Sequence, residues 1–227
     1  MTGMNRHCDV AVVIPVFNEQ TVLASVLAEI MEYFPRVVCV DDGSSDRSAS
    51  TAEALGAQVL RHTVNLGQGA SLLTGITWAL KDPRVQIIVT MDGDGQHDPC
   101  DAAAAVQRLR EERLDIVLGS RFLVNGSSVP RLRRTLLRGG ALYTRLTTRQ
   151  PFTDTHNGLR AMTRDAALRL ELIHQGMAHA SEIQRSIAKH GLKWAEAPTD
   201  IRYTPYSIAK GQTMWNSINI VFDLVWR

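Results

Sequence analysis

The sequence predicts a single α/β domain with a mostly parallel central sheet flanked by helices. Three observations carry that expectation. Short apolar, β-branched runs alternate with segments of helical period through the first half of the chain. Several of these runs stop abruptly at Asp, Asn or Gly, as strands do at the carboxyl edge where open α/β sheets bind ligands. The chain has 227 residues, 44% hydrophobic and 21% charged, which suffices for one large core and is ordinary for a globular protein. The expected division is a domain over 1–212 and an amphipathic helix over 213–227.

Asp9-Val10-Ala11-Val12-Val13-Ile14-Pro15 reads as a buried first strand. A loop, Val16-Phe17-Asn18-Glu19, leads into a helix over 21–33, in which Val22, Val26 and Ile30 repeat at helical spacing. A second strand over 37–40 ends at Asp41-Asp42-Gly43-Ser44-Ser45-Asp46, and the helix after it, near 46–55, is expected to be capped by Ser or Asp. A short third strand over 58–62 precedes Asn65-Leu66-Gly67-Gln68-Gly69-Ala70, which opens a helix over 70–80. Glycines at a helix start allow close backbone approach and the helix N-terminus favours an anion, although the same residues serve as plain turn chemistry.

The next strand, Ile87-Ile88-Val89-Thr90, runs into Met91-Asp92-Gly93-Asp94-Gly95-Gln96-His97. Asp92, Asp94 and Gln96 are hard oxygen donors suited to Mg²⁺ or Mn²⁺, which bind through one or two carboxylates together with substrate phosphates. A simple Asp-Gly turn is the competing reading of this stretch alone. His97 is either a contact to metal or diphosphate or a residue that orders the loop. A helix over 99–112 and a strand over 115–118 follow, ending at Gly119-Ser120-Arg121.

From Ile116 to Thr153 there is no Asp or Glu, yet Arg121, Arg131, Arg133, Arg134, Arg138, Arg145 and Arg149 all fall there. Such segregation of one sign suggests an anionic partner, while a solvated basic helix or helix pair over 129–148 is the blander alternative. Nucleic acid is not expected, because no aromatic stacking surface accompanies the arginines. After Pro151, Asp154 to Arg160 precedes two helices, near 164–172 and 180–190, and a strand pair near 193–203 is expected to close the domain. In the tail over 212–227, Trp215, Ile218, Phe222 and Val225 share one helical face, which suits either a membrane interface or packing against core or partner.

Cys8, Cys39 and Cys100 match neither a disulfide framework nor a zinc pattern, so a reducing, cytoplasmic location is expected. No secretory signal opens the sequence, and no stretch reaches the roughly 18 apolar residues that span a bilayer. Attachment at the cytoplasmic face of a membrane, a membrane-protein partner and self-association all remain compatible with this composition.

Several of these stretches together resemble the family 2 glycosyltransferases of the GT-A, Rossmann-like fold. Within them the likeness is greatest to dolichyl-phosphate mannose synthases and polyprenyl-phosphate sugar transferases. Its carriers are Val13-Ile14-Pro15-Val16-Phe17-Asn18-Glu19, Val40 through Asp46, Asn65 through Ala70, Met91 through His97, Gly119-Ser120-Arg121 and Asp154 through Arg160, spanning about 10–212. The resemblance implies a nucleoside-diphosphate sugar donor, UDP- or GDP-linked, with Pro15, Phe17, Glu19 and Asp42 around the nucleoside. It places Asn65 and Gly69 along the nucleotide, Asp92 under ribose and diphosphate, and Mg²⁺ or Mn²⁺ on Asp94 and Gln96 beside Asp92. Arg121, Arg131, Arg133, Arg134 and Arg138 are implied to hold a polyprenyl phosphate acceptor, with Lys210 on a loop that closes over both substrates. Asp94, Arg121 and Arg134 would then carry catalysis by inversion.

The chain departs from the family pattern at Gln68, where relatives often carry Lys, and at Asn157-Gly158-Leu159-Arg160, where many have Ser-Gly-Phe-Arg. Many lipid-linked relatives also add two membrane-spanning helices after the catalytic domain. Here the sequence stops first, which fits a soluble-type member, a truncated chain or a subunit with a membrane partner. Two rival functions stay open. A hydroxyl acceptor would require a carboxylate base, for which Glu182 and Asp154 are the candidates, and a non-catalytic nucleotide-binding subunit would keep the fold without the chemistry.

Overall fold

The structure is a computed structural model, and it describes residues 7–123, 150–154, 157–171, 179–202 and 206. Among the described residues, seven strands form one sheet in the order β3-β2-β1-β4-β6-β5-β7. β1 (Val10–Val16), β2 (Val37–Asp41), β3 (Gln58–Arg61) and β4 (Ile87–Thr90) are mutually parallel, as are β5 (Ile116–Ser120) and β7 (Trp194–Pro198). β6 (Arg160–Thr163) runs antiparallel between β4 and β5, with Thr90 opposite Arg160 and Leu118 opposite the same residue.

Alternation along β1 sorts the core into two layers. Val10, Val12, Ile14 and Val16 face α1 (Leu23–Tyr33), α2 (Ser48–Ala54) and α4 (Pro99–Glu111), where Leu23, Leu27, Ile30, Ala102 and Val106 are buried. Ala11 and Val13 face the opposite layer, made by α3 (Gln68–Ala79), α5 (Arg164–Leu168) and α6 (His179–His190). Side chains that alternate across a pleated strand, with both faces covered, explain why the run is apolar without interruption. Gly75 matters on the α3 side. A Cβ there would overlap Val13 and touch Val40, so its absence lets the helix sit close on the sheet.

Three details differ from the sequence expectation. Among the described residues of the strand pair expected over 193–203 there is one strand, β7, plus an isolated bridge between Ile201 and His97. β6 was not foreseen, because four residues opening with an Arg carry no readable period and owe their pairing to the neighbours on either side. At α2 the N-cap position is Arg47, whose side chain makes no capping bond. Asp46, one residue earlier, instead accepts from the Ser48 amide at 2.9 Å and its hydroxyl at 2.5 Å. α4 follows the usual rule, with Asp98 accepting from the Cys100 amide at 2.8 Å and Pro99 at the first turn. Among the described residues no helix is long and apolar enough to cross a membrane. The arginine section over 129–148, Lys210 and the tail over 213–227 lie outside the described residues.

Candidate active site

The acidic loop begins where β4 ends, beside the end of β1. Asp92 is held from three directions. The Gln68 amide at the start of α3 donates to its Oδ1 at 2.7 Å, and His97 Nε2 lies 3.3 Å from its Oδ2. The backbone of Gly158 packs so closely that a Cβ there would overlap the carboxylate. Asp94 accepts from the Gln96 amide at 3.1 Å. Burial, and then the negative charge of Asp92, push the Asp94 carboxyl up to about 6, against the pull of the Gln96 amide and His97. Gln96 and His97 are themselves buried, with 5% exposure each. Asp94, Gly95 and His97 also form one wall of a cleft of about 410 Å³ against Val22, at the N-cap of α1, and Val26 and Ile30 within it.

The loops after β1 and β2 are stitched to each other. The amides of Asn18, Glu19 and Gln20 donate to Ser44 Oγ, Ser48 Oγ and Asp46 Oδ2 at 3.0, 2.8 and 3.1 Å. Asn18, with φ of 54°, returns a bond by accepting from the Ser45 amide at 2.9 Å. Phe17 stands 42% exposed at this lip, Pro15 is half-buried and Glu19 is buried. Asp42 accepts from the amides of Leu66 and Gly67 at 2.9 and 2.7 Å and lies 2.7 Å from His62 Nδ1. Burial would raise its carboxyl, but the bonds from His62, Leu66 and Gly67 outweigh that and hold it below the usual range. Asp42 therefore shapes the loop that carries Asn65, which is exposed, and Gly69, which is buried in the first turn of α3.

Beyond β5, Arg121 and Asp154 are paired with each other. Arg121 donates from Nε at 2.6 Å and from its amide at 3.1 Å to Asp154 Oδ2. Their side chains are 8% and 0% exposed. Glu196 of β7 accepts from the amides of Thr153 and Asp154 at 2.7 and 3.3 Å and fixes this corner. Arg160 is buried nearby. Burial pushes its guanidinium below the usual range while the carboxylates of Asp92 and Asp154 pull it back. Among the described residues its Nη1 has no hydrogen-bond partner. Glu182 is 5% exposed in the first turn of α6. Arg131, Arg133, Arg134, Arg138 and Lys210 lie outside the described residues.

Sequence reading did not foresee the contacts that Arg202 and Tyr206 make beyond β7. The Arg202 amide donates to Gln96 O at 2.9 Å, and its guanidinium bonds Glu29 at 3.1 Å as well as Asp98. Tyr206 donates to Glu19 Oε2 at 2.8 Å and to Asn18 O at 3.2 Å, and burial with the Glu19 carboxylate pushes its phenol up. These partners are separated by 173 residues or more in three of the four contacts outside the Gln96 backbone bond, so no local pattern announces them.

The donor set suits a hard divalent cation. Asp92, Asp94 and Gln96 offer oxygens, and burial first, then the neighbouring Asp92 charge, disfavours the Asp94 carboxylate in a way that a bound cation would relieve. Among the described residues no group of three or more His, Cys, Asp or Glu gathers around a common point. The remaining ligands would come from phosphates, as is usual for Mg²⁺.

Comparison with known proteins places this geometry. The family model described as glycosyl transferase family 2 matches residues 11–170. An uncharacterised protein of Methanocaldococcus jannaschii is 34% identical over 96% of this chain and 92% of its own length. The UDP-N-acetylglucosamine–dolichyl-phosphate N-acetylglucosaminyltransferase of Methanococcus voltae is 26% identical over 94% of this chain and 93% of its own. The undecaprenyl-phosphate mannosyltransferase of Micrococcus luteus is 29% identical over 83% and 82%. Among solved structures, the UDP complex of glucosyl-3-phosphoglycerate synthase from Mycobacterium tuberculosis superposes with a TM-score of 0.72. It is 18% identical and matches 93% of this chain and 77% of that one, a likeness of fold. The same enzyme has been crystallised with Mn²⁺ and UDP-glucose. With the strand-end motifs, the mostly parallel sheet and the family match over most of its length, this chain belongs to the family 2 glycosyltransferases and is a glycosyltransferase of the GT-A fold.

Proposed function

We propose that the chain transfers a sugar from a nucleoside-diphosphate sugar to a polyprenyl phosphate, with inversion at the anomeric carbon and dependence on Mg²⁺ or Mn²⁺. The observation that carries this reading is the buried Asp94 carboxyl beside Asp92, a concentration of negative charge at the carboxyl edge of β4. Held by Asp94 with Asp92 and Gln96 beside it, the cation would supply positive charge to the departing nucleoside diphosphate. Gln68, His97 and Gly158 keep Asp92 in place for the ribose and diphosphate. Pro15, Phe17, Glu19 and Asp42 belong to the two stitched loops that would receive the nucleoside, with Asn65 and Gly69 along the nucleotide.

A phosphate oxygen of the acceptor would attack the anomeric carbon from the face opposite the leaving group. The new carbon–oxygen bond forms as the bond to the diphosphate breaks, and the electron pair leaves with the nucleoside diphosphate. An anionic phosphate needs no general base. It needs alignment and positive charge, which the arginines at 131, 133, 134 and 138, with Lys210, are suited to provide, whereas Arg121 is engaged with Asp154. Relatives named for dolichyl-phosphate and undecaprenyl-phosphate support this acceptor class. A hydroxyl acceptor fits less well, since Asp154 is bonded to Arg121 and Glu182 is buried.

The test is a thermal-shift screen of nucleotide sugars with Mn²⁺, followed by transfer to a short-chain polyprenyl phosphate and NMR assignment of the product anomer. At least one UDP- or GDP-sugar is expected to raise the melting temperature only with metal, and Asp94→Ala to abolish the shift. Equal shifts in both proteins, or a product of retained configuration, would overturn the reading.

A further inference from the structure

His62 stands just past β3, and the proposed reaction does not use it. Its amide donates to Asp41 O at 2.9 Å, which sets the ring beside the end of β2. The side chain is 10% exposed. Nδ1 lies 2.7 Å from Asp42 Oδ1, and Nε2 lies 3.0 Å from Thr74 Oγ1 on α3. An ionised carboxylate offers only lone pairs, so Nδ1 donates to Asp42, while the Thr74 hydroxyl serves Nε2 as donor or acceptor in either charge state of the ring. Asp42 in turn accepts from the Leu66 amide at Oδ1 and from the Gly67 amide at Oδ2. Residues 62–67 belong to no strand or helix, and Gly67 takes a φ of 93° just before α3 begins at Gln68. A side chain therefore shapes this turn where no backbone ladder does. Asn65 lies within it, and Gln68, the next residue after it, reaches Asp92 Oδ1 at 2.7 Å.

We propose that His62 is a positioning residue for the nucleotide: by fixing the rotation of the Asp42 carboxylate, it holds the turn at Leu66 and Gly67 in the shape that receives the donor, without touching the donor itself. The inference rests on the nucleotide-donor site proposed above. A carboxylate turns about the single bond that carries it, and here each oxygen has to meet one amide. A donor on Oδ1 from the end of β3, backed by Thr74 of α3, selects the rotation in which both amides are satisfied. Preorganisation of this kind is read in affinity, since a turn that is already set loses less freedom when the nucleotide binds.

The experiment is a calorimetric titration of UDP and of GDP, each with Mn²⁺, into the native protein, His62→Asn, His62→Gln, Thr74→Val, Asp42→Asn and the double variant His62→Gln with Asp42→Asn. Circular dichroism confirms the fold of each. The Asn amide nitrogen falls near the Nδ1 position and keeps a donor for Asp42, whereas the Gln amide reaches toward Thr74 and gives that donor up. For whichever nucleotide the native protein binds, His62→Gln should weaken affinity about tenfold or more, the scale of one hydrogen bond to a charged group. His62→Asn should recover most of that loss, and Thr74→Val should stay within about threefold of native, the scale of a neutral bond. The double variant should bind no more weakly than Asp42→Asn alone, because His62 acts through Asp42. A purely structural ring predicts otherwise, with the larger Gln the better substitute and a penalty that adds to that of Asp42→Asn. Native affinity in a folded His62→Gln protein overturns the proposal, as does a loss that His62→Asn fails to relieve or that adds in full to Asp42→Asn. If His62→Gln does not fold, His62→Asn binding as weakly as Asp42→Asn overturns it instead. Failure of the donor reading itself would look different, with the native protein binding neither nucleotide in the presence of Mn²⁺.

Discussion

Replacing Asp154 by Ala tests whether the corner beyond β5 is a structural ion pair or a catalytic base. The substitution removes the acceptor of two bonds from Arg121, at 2.6 Å from Nε and 3.1 Å from the amide, and leaves a guanidinium whose side chain is only 8% exposed. Breaking a buried pair from one side costs about 3–5 kcal/mol, because the surviving charge stays desolvated without its partner. Arg160 loses one of its two carboxylates at the same time, which places the expectation toward the upper end of that range. A domain of this size loses roughly 2–4 °C of melting temperature per kcal/mol, so Asp154→Ala is expected to melt about 10 °C or more below native. Thermal and urea denaturation followed by circular dichroism provide the measurement. Arg121→Met combined with Asp154→Ala should cost less than the sum of the single changes, since the double variant no longer leaves the Arg121 charge without Asp154. A loss below about 1 kcal/mol in Asp154→Ala would refute the argument. Native stability with transfer abolished would restore Asp154 as a base and favour a hydroxyl acceptor.

Two further outcomes follow from the geometry. Gly158→Ala would press a methyl group into the Asp92 carboxylate. It should cost about 1–3 kcal/mol in urea denaturation and weaken nucleotide-sugar binding by calorimetry, and native values for both would show that the approach is not tight. Asp42 has a carboxyl held below its usual range, so its bonds to His62, Leu66 and Gly67 stabilise the fold fully above the unfolded value near about 4 and progressively less as pH falls through the lower folded value. Asp42→Asn should therefore be less stable than native at pH 7, with the gap closing below about pH 4 in acid-unfolding curves. A gap that stays constant down to pH 2 would count against this linkage.

Much of the architecture was legible in the amino-acid order because its physics is local. An uninterrupted apolar run such as Val10 to Ile14 needs burial on both faces, and Val22, Val26 and Ile30 define a helix by their spacing alone. The ends of β1, β2 and β4 announced themselves through Asn18, Asp42 and Asp92, since polar and glycine-rich chemistry cannot continue a buried strand. The family match, over residues 11–170, spans those same ends. β6 was hidden, because Arg160 to Thr163 becomes a strand only when β4 and β5 offer their edges to it.

The amino-acid order by itself determined which chemical groups stand at the carboxyl edge, because strand, turn and helix are decided within a few residues. Only the tertiary structure decided what each group touches. Arg121 and Asp154 were separate candidates for acceptor binding and base, and folding made them one buried pair. Asp94 became the carboxyl raised to about 6 because burial and Asp92 act on it together. Gln68, Gly158, Arg160, Arg202 and Tyr206 reached the site from distant elements. Burial, charge proximity and close backbone approach depend on distances in space, and residue spacing carries no measure of them.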